Sequence, residues 1–198
     1  MTFLSEPEMT PRVRAIYDGD VESDGYVMNL SRVWAHDPDA NHAFGGLVRA
    51  VAENAGLTMR EKGILVTACA STLGDSYCAI AWGARLGREA GQDVAAAVLT
   101  GADEGLTEAE RALAQWARLL AADPNATAAS DVESLREHGY DDARIFAITA
   151  YVALRVAFST VNDALGALPD EQLCAEAPPE VLRVVTWGRQ PAQPSASA

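Results

Sequence analysis

The residues best able to do chemistry cluster in one short run, Leu73-Gly74-Asp75-Ser76-Tyr77-Cys78-Ala79-Ile80-Ala81-Trp82. Gly74-Asp75 stops one helix and caps the next, so Ser76 to Ala90 is predicted as a helix with Cys78 in its first turn. A helix N-terminus favours a thiolate, but an ionised Asp75 three residues away opposes it, and nothing adjacent in sequence supplies a cation or imidazole. The balance leaves a neutral, slow thiol. Cys78 is then either a small buried residue or the reactive group of this site. Asp75 also has two readings: a helix cap, or a general acid or base with its pKa raised by apolar walls such as Trp82 and Tyr77.

A second set lies on one apolar helix. From Ile145 to Val161 the chain carries no charge except Arg155, and Tyr151, Arg155, Ser159 and Asn162 recur at helical spacing. A guanidinium there needs a partner, which is either an acid on a neighbouring helix or subunit or the carboxylate of a substrate held bidentately. Asp75 and Cys78 are therefore the candidate catalytic residues. Tyr77, Trp82, Tyr151, Arg155 and Asn162 are the candidate substrate-binding ones. His36, His42 and His138 sit at helix ends or away from the apolar stripe, and neither a nucleophilic triad, a metal-ligand spacing nor a phosphate loop is present. A small-molecule substrate is expected, with no cofactor and no metal.

These groups must be positioned by helices. Between Arg12 and Leu168 only Pro38 and Pro124 occur, alanine is abundant and β-branched runs are short, which predicts an all-α fold. Asp37-Pro38 starts a helix with an apolar stripe of Ala40, Phe44, Leu47, Val48, Val51 and Ala55, stopped by Gly56. The glycines Gly45 and Gly46 on it are expected to permit close helix packing. Capping boxes at Thr58 to Glu61, Thr107 to Glu110 and Ser130 to Glu133 open further helices, Asp93 begins a short one to Thr100, and Asp142 to Leu165 forms the last strong one. Residues 1–23 are read as an arm with a short helix around Pro11 to Tyr17, and 24–173 as the helical domain. Residues 174–198 form a C-terminal segment. Within it Val181, Leu182, Val184, Val185 and Trp187 are too apolar to dangle, so they must pack on the body or on a neighbouring subunit, and Gln190 to Ala198 reads as disordered.

The 198 residues suit one domain, with 49% hydrophobic and 22% charged residues. Lys and Arg number 15 against 28 Asp and Glu, and the resulting charge of −13 repels nucleic-acid phosphates and anionic membranes. No apolar run approaches the roughly 18–20 uncharged residues of a spanning helix, and no signal peptide is visible, so a cytoplasmic location is expected. The three cysteines, Cys69, Cys78 and Cys174, make no disulfide framework.

Arg60-Glu61-Lys62-Gly63-Ile64-Leu65-Val66-Thr67, followed by Leu73 to Trp82, resembles the core signature of the carboxymuconolactone decarboxylase and alkylhydroperoxidase D-like superfamily. Asn29 to Pro38 resembles its lead-in and Asn162-Asp163-Ala164-Leu165 its close, so the resemblance spans Met28 to Leu173. It implies a compact helical bundle of the alkylhydroperoxidase D-like type, assembling as homo-oligomers such as trimers and hexamers. The family's redox members carry a glutamate, then Cys-x-x-Cys at a helix N-terminus, then a histidine four residues on. Here those positions hold Gly63, Asp75 and Trp82, and only Cys78 remains. A disulfide-cycling peroxidase is excluded unless Cys69 or Cys174 moves in to resolve. The activity expected first is cofactor-free, redox-neutral chemistry of the lyase or isomerase type (decarboxylation, lactone opening, isomerisation or cyclisation) on a small organic acid or polyketide-like metabolite of secondary metabolism. The alternatives are a one-cysteine thiol peroxidase using Cys78 and a non-catalytic oligomeric ligand-binding protein.

Overall fold

The computed structural model describes residues 2–191, so most of the tail read as disordered lies outside the described residues. Among these, helices form wherever caps and apolar periodicity coincide, and there is no strand. In chain order they are α1 (Pro11–Asp24), α2 (Asn29–Trp34), α3 (Pro38–Asn54), α4 (Met59–Leu73), α5 (Ser76–Ala90), α6 (Gln92–Thr100) and α7 (Glu108–Ala122). After a 3-10 turn (Pro124–Ala126) come α8 (Ala129–Glu137), α9 (Asp142–Ala164), α10 (Glu171–Glu176) and α11 (Pro179–Val184).

The centre is α4, whose residues Gly63 to Ala70 are all buried. A helix apolar on every face can be satisfied only by neighbours all round, and α4 packs against α5, α6, α7 and α9. Gly63 permits the closest of these approaches: a Cβ there would stand 3.1 Å from the Leu86 side chain of α5. Gly45 and Gly46 do not share that role, because a Cβ on either would meet nothing within 4 Å. They lie on the outer, exposed face of α3, where Leu47 is also 51% exposed rather than part of the inward stripe.

Two further elements differ from the linear reading. α1 runs to Asp24 instead of ending near Tyr17, since Val13, Tyr17 and Asp20 form a buried face that its polar composition hides. The Asp20 carboxylate accepts from the Met28 N–H at 2.9 Å, tying α1 to the connection that follows. α8 begins at Ala129, with Asp131 accepting from the Ala128 N–H at 2.7 Å, so Ser130 is inside the helix and not its cap. α9 has the bounds expected from sequence, and its length and mean hydropathy of 1.5 would suit a membrane span by composition alone, as they also suit the core helix of a bundle. It packs against α3, α4, α7 and α8.

The C-terminal apolar patch settles on its own body. Val181 on α11 is fully buried, and a Cβ on Gly83 of α5 would lie 3.0 Å from it. Val184, Val185 and Trp187 pack on the same core. Beyond α11 the chain crosses the start of α5, where Ser76 Oγ donates to the Arg189 carbonyl at 2.6 Å.

Candidate functional site

A cavity of about 200 Å³ opens beside the first two turns of α5. Cys78, Ala81, Trp82 and Arg85 of α5 form one wall, and Arg155 and Phe158 of α9 face them. The connection from α1 to α2 closes a third side with Tyr26, Met28 and Leu30. Asp20 holds that connection through Met28, and Tyr77 holds its far end. The Tyr77 hydroxyl donates to the buried Asp170 carboxylate, which also accepts from the Asn29 N–H at 3.0 Å.

Cys78 is buried at the wall, and its N–H donates to Asp75 Oδ1 at 2.9 Å, the cap expected from sequence. Asp75 itself is fully enclosed and lies behind Cys78 rather than on the cavity surface; its Oδ2 has no hydrogen-bond partner among the described residues. Burial pushes the Cys78 thiol well above its ordinary value and the Asp75 charge adds to this, while the Arg155 charge and a hydrogen bond with Ser159 oppose it. Cys69 is enclosed in α4 and pushed up to about 12, again mainly by burial. All three cysteines are free, and Cys174 is half-buried on α10.

The cation that sequence proximity could not supply comes from α9. Arg155 is 8% exposed and its Nη2 approaches Cys78 Sγ at 3.5 Å. It makes no ion pair among the described residues, and its Nε has no hydrogen-bond partner there. Its guanidinium carbon lies 4.7 Å from the Phe158 ring centroid and 5.5 Å from that of Trp82. Of the two partners weighed for it, the acidic side chain is therefore absent among the described residues. Such contacts offset only part of the cost of enclosing a charge.

Tyr77, Cys78, Trp82 and Arg155 thus meet in one cavity, whereas Tyr151 and Asn162 stand behind its wall. Tyr151 is buried, which raises its hydroxyl pKa against the opposing charges of Arg155 and Arg85. Asn162 Oδ1 accepts from Trp34 Nε1 at 2.9 Å, and Trp34 stacks on Phe158 at 5.3 Å, so Asn162 supports the wall at one remove. Its Nδ2 has no hydrogen-bond partner among the described residues. Half-buried Asp163 is pushed up to about 6 by burial and by the Asp75 charge, with Arg189 opposing. Sequence reasoning missed Arg85 and Phe158, although Cys78, Trp82 and Arg85 follow the i, i+4, i+7 spacing of one helix face. Tyr26, Met28 and Leu30 lie mainly in a connection, where helical periodicity carries no signal. Among the described residues no group of three or more His, Cys, Asp or Glu side chains could hold a metal ion.

No family model matches this chain, and no curated protein matches it. Solved structures do. An alkylhydroperoxidase AhpD core, an uncharacterised peroxidase-related protein from Ralstonia eutropha JMP134, is 23% identical with TM-score 0.72, covering 87% of this chain and 94% of that one. An uncharacterised peroxidase-related protein from Silicibacter sp. TM1040 is 19% identical with TM-score 0.75, covering 87% and 93%. The debrominase Bmp8, as a cysteine-to-alanine variant in complex with 2,3,4-tribromopyrrole, is 19% identical with TM-score 0.73, covering 92% and 97%. The fold observed is the alkylhydroperoxidase D-like fold expected from the sequence.

Proposed function

We propose that this alkylhydroperoxidase D-like chain is a carboxymuconolactone decarboxylase-like enzyme carrying out cofactor-free, redox-neutral chemistry on a small organic acid. One observation carries the reading: a buried guanidinium, Arg155, faces the cavity with no carboxylate partner among the described residues. Charge enclosed in that way gains most from an anion that arrives with the substrate. Trp82 and Phe158 supply a flat apolar wall for the rest of the molecule, and Tyr77 shapes its edge.

Cys78 contributes as a protonated thiol. With its pKa raised by burial and by Asp75, it stays protonated and donates a hydrogen bond to charge developing on the substrate, and Asp75 fixes its position. A one-cysteine peroxidase needs a thiolate near neutral pH, and the same shift opposes it. Arg155 also discriminates among redox-neutral reactions. A carboxylate held by a guanidinium is stabilised in the ground state, so isomerisation, lactone opening or cyclisation that keeps that group is favoured over its loss as carbon dioxide.

Incubation with a panel of small organic acids, followed by mass spectrometry of the products, tests the proposal. Turnover that survives removal of peroxide and thiol reductants, and that falls in Arg155→Met and Cys78→Ala variants, supports it. A thiolate below pH 7 with fast, site-selective oxidation of Cys78 overturns it. The same reading includes a homo-oligomer, a trimer or hexamer, supported by Phe146 at 73% and Leu47 at 51% exposed on α9 and α3. Sedimentation as a monomer at micromolar concentration overturns that part.

A further inference from the structure

The cavity carries a second guanidinium for which the function above has no use. Arg85 is half-buried on the cavity wall, and its guanidinium carbon lies 5.0 Å from the Trp82 ring centroid. It makes neither a hydrogen bond nor an ion pair among the described residues, in a chain with 28 acids to 15 basic residues. Asp24 lines the same cavity, and Glu176 shares a smaller outer cleft with both, yet neither carboxylate comes within ion-pair distance of Arg85. The two arginines differ in level along α5: Arg155 meets it at Cys78, and Arg85 stands seven residues further on, about two helical turns. Both lie over Trp82, so the gap between them cannot exceed the sum of their distances to that ring.

We infer that Arg85 is a specificity-determining residue that receives a second acceptor oxygen, making the preferred ligand a single-ring acid with its carboxylate at Arg155 and a carbonyl or oxyanion at the opposite end. The inference rests on the acid reading of the site. Size favours a single ring with its two substituents: an enclosed apolar cavity of about 150 Å³ takes benzene, and this one holds about 200 Å³. Charge fixes the two ends. Trp82 and Phe158, which both line the cavity, favour a flat apolar body between those ends.

Calorimetric titration of the full chain with benzoate, 4-acetylbenzoate and 6-acetyl-2-naphthoate tests this directly. 4-Acetylbenzoate is expected to bind at least about tenfold more tightly than benzoate, the increment of one hydrogen bond to a charged group. Arg85→Met is expected to erase that preference and leave benzoate unchanged within about twofold, and Arg85→Lys to recover part of it. Arg155→Met is expected to weaken both acids. Benzoate binding with no preference for the acetyl group, or a preference that survives Arg85→Met, overturns the inference and spares the acid reading. Binding of the naphthoate as tightly as the single-ring acids overturns the size assignment. If none of the acids binds the wild-type protein, the acid reading falls and this inference falls with it.

Discussion

The starts of α4 and α5 use the same kind of cap to opposite ends. At α4, Thr58 accepts from the Glu61 N–H at 3.1 Å, Glu61 accepts from the Thr58 N–H at 2.8 Å, and its other oxygen takes Arg144 Nη2 at 3.0 Å. Each donor there has an acceptor, and the set lies at the protein surface. At α5, Asp75 is enclosed, one of its oxygens caps Cys78 and the other has no hydrogen-bond partner among the described residues, where the nearby Arg155 contacts sulfur and rings instead of a carboxylate. A helix start that only has to hold a fold is satisfied within the chain. At α5 the unmatched guanidinium of Arg155 stands beside a cavity, which is the feature the proposed acid substrate would use.

The largest change is expected where the two helices touch. Gly63→Glu restores the residue type that the resemblance implies at that position, but its first carbon alone would press on Leu86. Overpacking together with a buried acid should destabilise the fold by about 3 kcal/mol or more in urea unfolding. A stability loss below about 1 kcal/mol would mean that α4 and α5 separate easily.

Exchanging arginines sharpens the contrast. Arg144→Met removes the partner of Glu61 and should cost about 1 kcal/mol of stability while leaving acid binding unchanged. Arg155→Met should do the reverse, lowering acid affinity at least about tenfold with stability unchanged or improved, because an enclosed charge without a counter-ion is replaced by an apolar side chain. Denaturation and calorimetry on both variants separate the two outcomes.

Trimming the caps gives smaller effects. Thr58→Ala and Asp75→Ala should each lower stability by about 1 kcal/mol. Only the second should lower the Cys78 thiol pKa, since it removes a negative charge that opposes the thiolate. Thiol alkylation followed against pH reads that difference, and equal profiles in the two variants would separate Asp75 from Cys78.

The smallest effect is a slope. Asp163 has a folded pKa of about 6, above its ordinary 3.8. The folded state therefore holds a proton that the unfolded state releases between those values, so this stabilisation is complete below about pH 4 and lost as pH rises through about 6. Asp163→Asn should flatten the fall in stability across that window, measured as unfolding midpoints between pH 4 and 7.

Most of the scaffold was legible because helix starts announce themselves locally. Asp37, Thr58, Asp75, Thr107 and Asp141 all cap through their own side chains. The start of α8 was misplaced because Ala128 has no capping side chain and Asp131 reaches back instead. α1 was shortened because its anchor, Asp20, is polar and is recognised only by the backbone it binds. At the site, the types and spacings of Cys78, Trp82 and Arg155 suggest one pocket that Asp75 also bounds, but the helix crossing that makes it, and that leaves Asp75 behind the wall, has no local signature. The pocket depends on two residues 77 apart in sequence brought together by the crossing of α5 and α9. Arg85 carries little signal in sequence, because a lone arginine in the later part of a helix looks like solvated surface until the opposite wall is known.

The contact between Gly83 and Val181 also bears on the order in which the chain folds. α4, α5 and α6 are neighbours in sequence and close on one another through short loops, whereas α11 docks only after roughly half the chain has been gathered between it and α5. Late docking makes this contact a natural candidate for reversible local opening. Amide hydrogens of α11 should then exchange with solvent well before those of α4, at a rate set by its release from α5 and α6 rather than by melting of the whole core.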